Sequence, residues 1–162
     1  MTTAGTERQD KIAAKLAAPW VTPFLLLPLL ARIATVTPAG RPHVVPVWFE
    51  WDGALLWTSI DQRSKKYRNL LANPSCAVTI DETWGGLRFR GVIFEGQVEL
   101  ITEPREWTVA TTRRIYTRYM GVEGIAAKTI QSMLNNGQHA VVKLTPDHVI
   151  VWDDTGGPAP VG

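Results

Sequence analysis

Ser64, Lys65 and Lys66 stand side by side ahead of Tyr67, Leu70 and Leu71, which share helical spacing, and Pro74 closes the run. Ser64 is a good N-cap, so the pattern predicts a short helix that opens on a hydroxyl and two ammonium groups. Free N–H groups at a helix start attract anions, and a phosphate suits this one. A solvated basic turn is the competing reading. The segment just before it carries Pro46, Trp48, Trp57, Thr58 and Ser59. Val44, Pro46, Trp48 and Glu50 fall on one parity of a strand; the proline interrupts the hydrogen-bond ladder and the neighbouring indole could pack on a planar ligand or a partner subunit. Ordinary sheet packing is the alternative for Trp48 and Trp57.

No side chain is placed to act as nucleophile or general base, so no catalytic residue is expected. His43, His139 and His148 lack metal-ligand or triad spacing and read as core or surface histidines. The single cysteine, Cys76, can form no intramolecular disulfide and falls on the apolar side of its strand. Neither a metal nor a thiol site is expected, and a reducing cytoplasm is the expected location. A site without acid–base residues fits redox chemistry carried by an organic cofactor, which the protein positions and tunes.

These residues need a scaffold, and 162 residues suit one domain spanning 1–162. With 45% hydrophobic and 20% charged residues the chain is globular rather than disordered or polytopic. Thirteen Gly and 11 Pro punctuate short apolar runs, which favours strands and turns, and 7 Trp are a surplus to be placed. Residues 1–9 and 156–162 should fray. Residues 10–18 read as a helix. The apolar stretch 21–30 is broken by Pro23 and Pro28 and is too short to span a membrane, so it should plug one end of the core. Strands follow at 32–37 and across a hairpin, 41–59, that turns at Asp52-Gly53. Residues 75–81 alternate, with Cys76, Val78 and Ile80 on one side. Residues 87–102 change phase, Leu87, Phe89 and Ile93 against Phe94, Val98 and Leu100, with Gly91 and Gly96 as bulges. A helical insertion, 103–135, is capped by Thr102 and carries Val109, Tyr116 and Met120 at helical spacing. Two short strands, 139–144 and 149–152, finish the chain.

In order along the chain, RPHVVPVWFEWDG, LWTS, SKKYRNLLANPSCAVTID and RFRGVIFEGQVEL resemble the flavin- and deazaflavin-binding split barrels related to pyridoxamine 5′-phosphate oxidase. The likeness is greatest to small members described as F420-dependent oxidoreductases. It runs from about residue 31 to 96 and more loosely to 152. The resemblance implies a mainly β, α+β fold: a six-stranded antiparallel split barrel with flanking helices, paired as a homodimer with cofactor at the subunit interface. It places Pro46, Val47 and Trp48 along the cofactor ring, and Trp57, Thr58 and Ser59 along its side chain. Ser64, Lys65 and Lys66 would hold its phosphate. Arg90 and Gly91 fall where a neighbouring strand reaches ring or phosphate, and Trp152 where the other subunit approaches the ring.

The implied reaction is hydride transfer between F420 or FMN and a small organic substrate. These positions do not separate the two cofactors; the family likeness favours F420, whose acidic tail Arg114 and Arg118 could meet. The substrate-phosphate residues of a true pyridoxamine phosphate oxidase are not recognisable, so vitamin B6 oxidation is not implied. A carrier of flavin, deazaflavin or haem is the alternative. A nucleic-acid barrel using Arg63, Lys65, Lys66 and Arg68 is disfavoured by a net charge of only +2, and no membrane partner is expected.

Overall fold

The computed structural model describes residues 3–85 and 88–154. The elements run α1 (Thr3–Leu16), α2 (Val21–Leu25), β1 (Ala31–Val36), β2 (Pro42–Val47), β3 (Phe49–Trp51), β4 (Leu56–Asp61), α3 (Lys65–Ala72), β5 (Ser75–Trp84), β6 (Arg88–Ile101), α4 (Arg105–Ile125), α5 (Lys128–Asn135) and β7 (His139–Asp153). The expected frayed end, 156–162, lies outside the described residues, and α1 begins well ahead of residue 10.

The strands form one antiparallel sheet in the order β2-β1-β5-β6-β7-β4-β3. Its two edge strands are consecutive in the chain and separated by Trp48 alone. Val47 pairs with Ala31 of β1, whereas Phe49 pairs with Thr58 of β4. The sheet therefore curls until its edges meet at Trp48. The six strands expected become seven because one of them is broken there.

Alternation decides which side chains fill this curled sheet. Ile33, Val47, Phe49, Trp51, Leu56, Ile60, Val78, Ile80, Val92, Phe94, Val142, Leu144 and Val149 point inward and are buried. Trp51 stacks on Phe94 at 4.9 Å. The expected plug forms: Val21, Phe24 and Leu25 of α2 are buried, and Trp20 meets Phe24 edge-on at 5.6 Å. Among the described residues no helix is long and apolar enough to cross a membrane.

Four local expectations are corrected. The strand β6 keeps one phase: Val92 and Phe94 are both buried while Phe89 is 44% exposed, so its odd residues form an outer face that is itself partly apolar. Only one of the two expected bulges appears, at Glu95/Gly96, and the extra residue is Asp147 of β7. A side chain at Gly96 would meet the Thr145 carbonyl and lie 3.0 Å from Pro146 Cα, so the bulge demands a glycine opposite it. The two terminal strands are one continuous strand across that bulge. Finally, Pro104 rather than Thr102 is the N-cap of α4.

The helix α4 also buries an unexpected face. Thr108, Thr111, Thr112 and Ile115 turn inward, which a search for apolar periodicity passes over. It packs on the outer side of β4 and β7. Among the described residues, no helix covers the outer side of β2, β1, β5 and β6 in this way.

Candidate functional site

Where β2 breaks from β3, the peptide between Trp48 and Phe49 has left the ladder. Side chains satisfy it instead. Thr58 Oγ1 donates to the Trp48 carbonyl at 2.7 Å, and the Phe49 N–H donates to Tyr119 Oη at 3.0 Å. The Tyr119 hydroxyl donates onward to the Leu29 carbonyl at 2.8 Å, with the Phe49 carbonyl also within 3.2 Å. The Trp48 ring stacks on Tyr119, centroids 5.1 Å apart and planes 9° from parallel, and meets Tyr116 at a right angle at 4.8 Å. Beside it opens a cleft of about 280 Å3 lined by Leu30, Pro46, Val47, Trp48 and Tyr116. The three residues expected along a ring system thus come together, and α4 supplies one wall.

The expected helix start is also present. Ser64 caps α3, its Oγ accepting the Tyr67 N–H at 3.3 Å. Lys65 is exposed, whereas Lys66 is half-buried. Burial pushes the Lys66 ammonium below its ordinary pKa, against the pull of the Asp61 carboxylate. An anion would replace the solvation that this ammonium has lost. Arg63 grips Asp61 through Nε at 3.0 Å and Nη2 at 2.6 Å, which together hold its pKa down to about 2. The same carboxylate acts on Tyr116 and on His139. Asp61 also accepts the Ser64 N–H at 3.0 Å through its backbone carbonyl, so it adjoins the helix start, and Arg63 pairs with its charge.

The remaining expected residues are dispersed. Trp57 lies on the outer side of β4, its Nε1 donating to Asp52 at 2.7 Å and its ring edge-on to Trp107 at 5.9 Å. Ser59 is buried beneath α4, its Oγ 2.8 Å from Thr112 Oγ1 and 3.2 Å from His139 Nδ1. Arg90 points into the end of the barrel: it is paired with Glu82 at 2.6 Å and lies over the Phe24 ring at 5.1 Å. Its neighbour Gly91 faces the opposite side and pairs with Trp152, whose ring covers it. Arg114 is held by Glu50 at 2.7 Å, and Arg118 Nη2 donates to the carbonyls of Leu25 and Leu27. Both arginines thus serve to dock α4.

Residues 19–153 match the family described as pyridoxamine 5′-phosphate oxidase. The chain belongs to that family. Among solved structures, an F420 reductase is 29% identical, with a TM-score of 0.61, and the match covers 79% of this chain and 94% of that one. A conserved hypothetical protein from Mycobacterium tuberculosis is 23% identical over 98% of this chain and 89% of its own, with a TM-score of 0.66. The haem storage protein HutZ from Vibrio cholerae shares the fold at 17% identity, 86% and 96% coverage and a TM-score of 0.66. No curated protein matches the sequence. An F420 reductase and a haem storage protein thus share this fold, and the site must be read from its residues.

Two of those residues, Tyr116 and Tyr119, carry no site signal in the sequence, where Tyr116 stands only in a helical stripe with Val109 and Met120. Burial raises the pKa of both phenols, and Asp61 adds to the rise at Tyr116. Their positions in the sequence hold no signal that α4 folds back against the β2–β3 break. The buried His139–Ser59–Thr112 group, drawn from three distant segments, leaves no sequence signal for the same reason.

Proposed function

We propose that this pyridoxamine 5′-phosphate oxidase family member is an oxidoreductase that transfers hydride between bound F420, or FMN, and a small organic substrate. The observation that carries the proposal is that one fold holds an aromatic cleft at Trp48 and Tyr116 and a Ser64-capped helix start with Lys65 and Lys66, and that the Asp61 charge acts on both Tyr116 and Lys66. A cofactor with a planar ring at one end and a phosphate at the other fits that pairing. The 29% identity to an F420 reductase over most of both chains favours the deazaflavin.

When bound, F420 or FMN supplies the hydride chemistry. The chain's own residues bind and orient. Pro46, Val47 and Trp48 offer an apolar wall, Ser64, Lys65 and Lys66 meet the phosphate, and Tyr116 keeps its proton at neutral pH beside the cleft. Trp57, Thr58 and Ser59 act on the cofactor's side-chain region through the β4 backbone, since their side chains are engaged elsewhere. Arg90 acts indirectly by holding the barrel end under α2.

A homodimer belongs to the same proposal. Val36, Val44, Phe89 and Ile150 are exposed on the outer side of β1, β2, β6 and β7, with Gly91 and Trp152 at one end of the patch. A second copy would cover these apolar groups and bring Trp152 to the partner's cleft. The thiol of Cys76 suits a cytoplasmic location. Oxidation of reduced F420 or FMN that depends on an added enone, quinone or nitroaromatic acceptor tests the activity. Stoichiometric binding with no acceptor reduced would instead make the protein a carrier.

A further inference from the structure

We infer that Tyr119 and Thr58 are positioning residues that set the angle of the Trp48 indole against the cleft. The inference rests on the cleft being the cofactor site, and it concerns a feature that the site's lining alone does not reveal. The peptide joining Trp48 to Phe49 is the point where one strand leaves β1 and joins β4. A strand residue is normally oriented by ladder bonds on its own peptide groups. At this peptide the two bonds come from side chains on different elements: Thr58 of β4 holds its carbonyl and Tyr119 of α4 receives its N–H. The two grips lie on opposite polar groups of one planar unit, so together they fix its rotation.

The ring of Tyr119 adds a second constraint. It stacks on Trp48 within 9° of parallel, and its hydroxyl is itself anchored on the Leu29 carbonyl. Arg118, one residue earlier, secures the same linker through the Leu25 and Leu27 carbonyls and lies 4.7 Å over the Phe49 ring. The helix α4 thus holds the cleft's indole from its face, its backbone and the adjoining chain. Thr58 is 1% exposed, so its hydroxyl has no access to solvent as a substitute partner. Removing either hydroxyl leaves a peptide group unpaired inside the fold, which frees that peptide to rotate and the indole with it.

The test uses the full chain labelled with 5-fluorotryptophan, the Trp48 resonance being assigned from Trp48→Phe. Tyr119→Phe keeps the stacked ring and loses the hydroxyl; Thr58→Val keeps the shape and loses the other bond. For each folded variant, the 19F resonance of Trp48, hydrogen exchange at the Phe49 amide, and binding of FMN and F420 are measured. Tyr119→Phe should speed exchange at Phe49 by about tenfold, both variants should shift or broaden the Trp48 line, and Kd should rise about fivefold. Unchanged Trp48 and Phe49 signals in both variants would overturn the inference, whether or not the protein binds cofactor. A loosened Trp48 with wild-type Kd would overturn its link to binding. Failure of the wild type to bind either cofactor would sink the functional proposal alone, since the two apo signals still decide the positioning role.

Discussion

The indole of Trp152 occupies the space that a side chain at Gly91 would need. A Cβ at Gly91 would stand 2.6 Å from Trp152 Cη2 and 2.9 Å from the Ile80 carbonyl oxygen. The indole and the backbone cannot both yield, so Gly91→Ala should destabilise the fold by about 1–3 kcal/mol. Adding Trp152→Ala should recover only part of that, because the Ile80 contact remains. Urea unfolding midpoints of the single and double variants check this; a neutral Gly91→Ala would contradict the packing.

Acid should weaken the fold through His139. Burial pushes its pKa below 6.5, outweighing the opposing pull of Asp61 and the Met133 backbone. The unfolded chain therefore takes up the proton first, and stability present above pH 6.5 falls as the pH drops towards the folded value. His139→Gln should flatten the urea midpoint between pH 7.5 and 5.5 relative to wild type. Asp61 acts lower: its pKa of about 2 against 3.8 gives stability that is lost only below about pH 4. Identical pH profiles for wild type and His139→Gln would remove the histidine from this account of acid sensitivity.

Local chemistry was readable: the Ser64 cap, the buried parity of Cys76, Val78 and Ile80, and Gly53 at φ +102° in the hairpin turn. The turn proper is Gly53-Ala54, one residue on, because Asp52 uses its carboxylate to accept the Ala54 and Leu55 N–H groups. The apparent phase change in β6 misled because Phe89 and Ile93 are apolar on the outer side, where alternation expects polar residues. Meetings between distant segments, such as Tyr119 with Phe49 or Thr112 with Ser59, leave no periodic trace. Of the expected site, Pro46, Val47 and Trp48 share a cleft and Ser64 with Lys66 forms the helix start, while the Arg90 side chain turns to the other side of the sheet.

Cys76 should be inert. It is buried, and burial alone pushes its thiol up to about 12, so almost no thiolate exists near neutrality. Iodoacetamide at pH 8 should leave the native protein unmodified and label it fully in urea, as read by intact mass. Rapid labelling of the native state would mean that β5 opens locally.

The outer side of the sheet, which no described helix covers, should hold the proposed dimer together. Ile150 is 37% exposed and pairs in register with Ile93 at the centre of that surface. Sedimentation should give a dimer for wild type and a monomer for Ile150→Lys, with weaker cofactor binding in the variant. A wild-type monomer at micromolar concentration would count against a shared site.

The cofactor site itself is tested most directly by titrating the purified protein with FMN and with F420 and following absorbance and fluorescence. Tight binding of at least one is expected, abolished in Lys66→Ala and kept in Lys11→Ala, whose lysine pairs with Glu7 on the exposed face of α1. A well-folded protein indifferent to both cofactors, or one that Lys66→Ala leaves binding as tightly as wild type, would contradict the site.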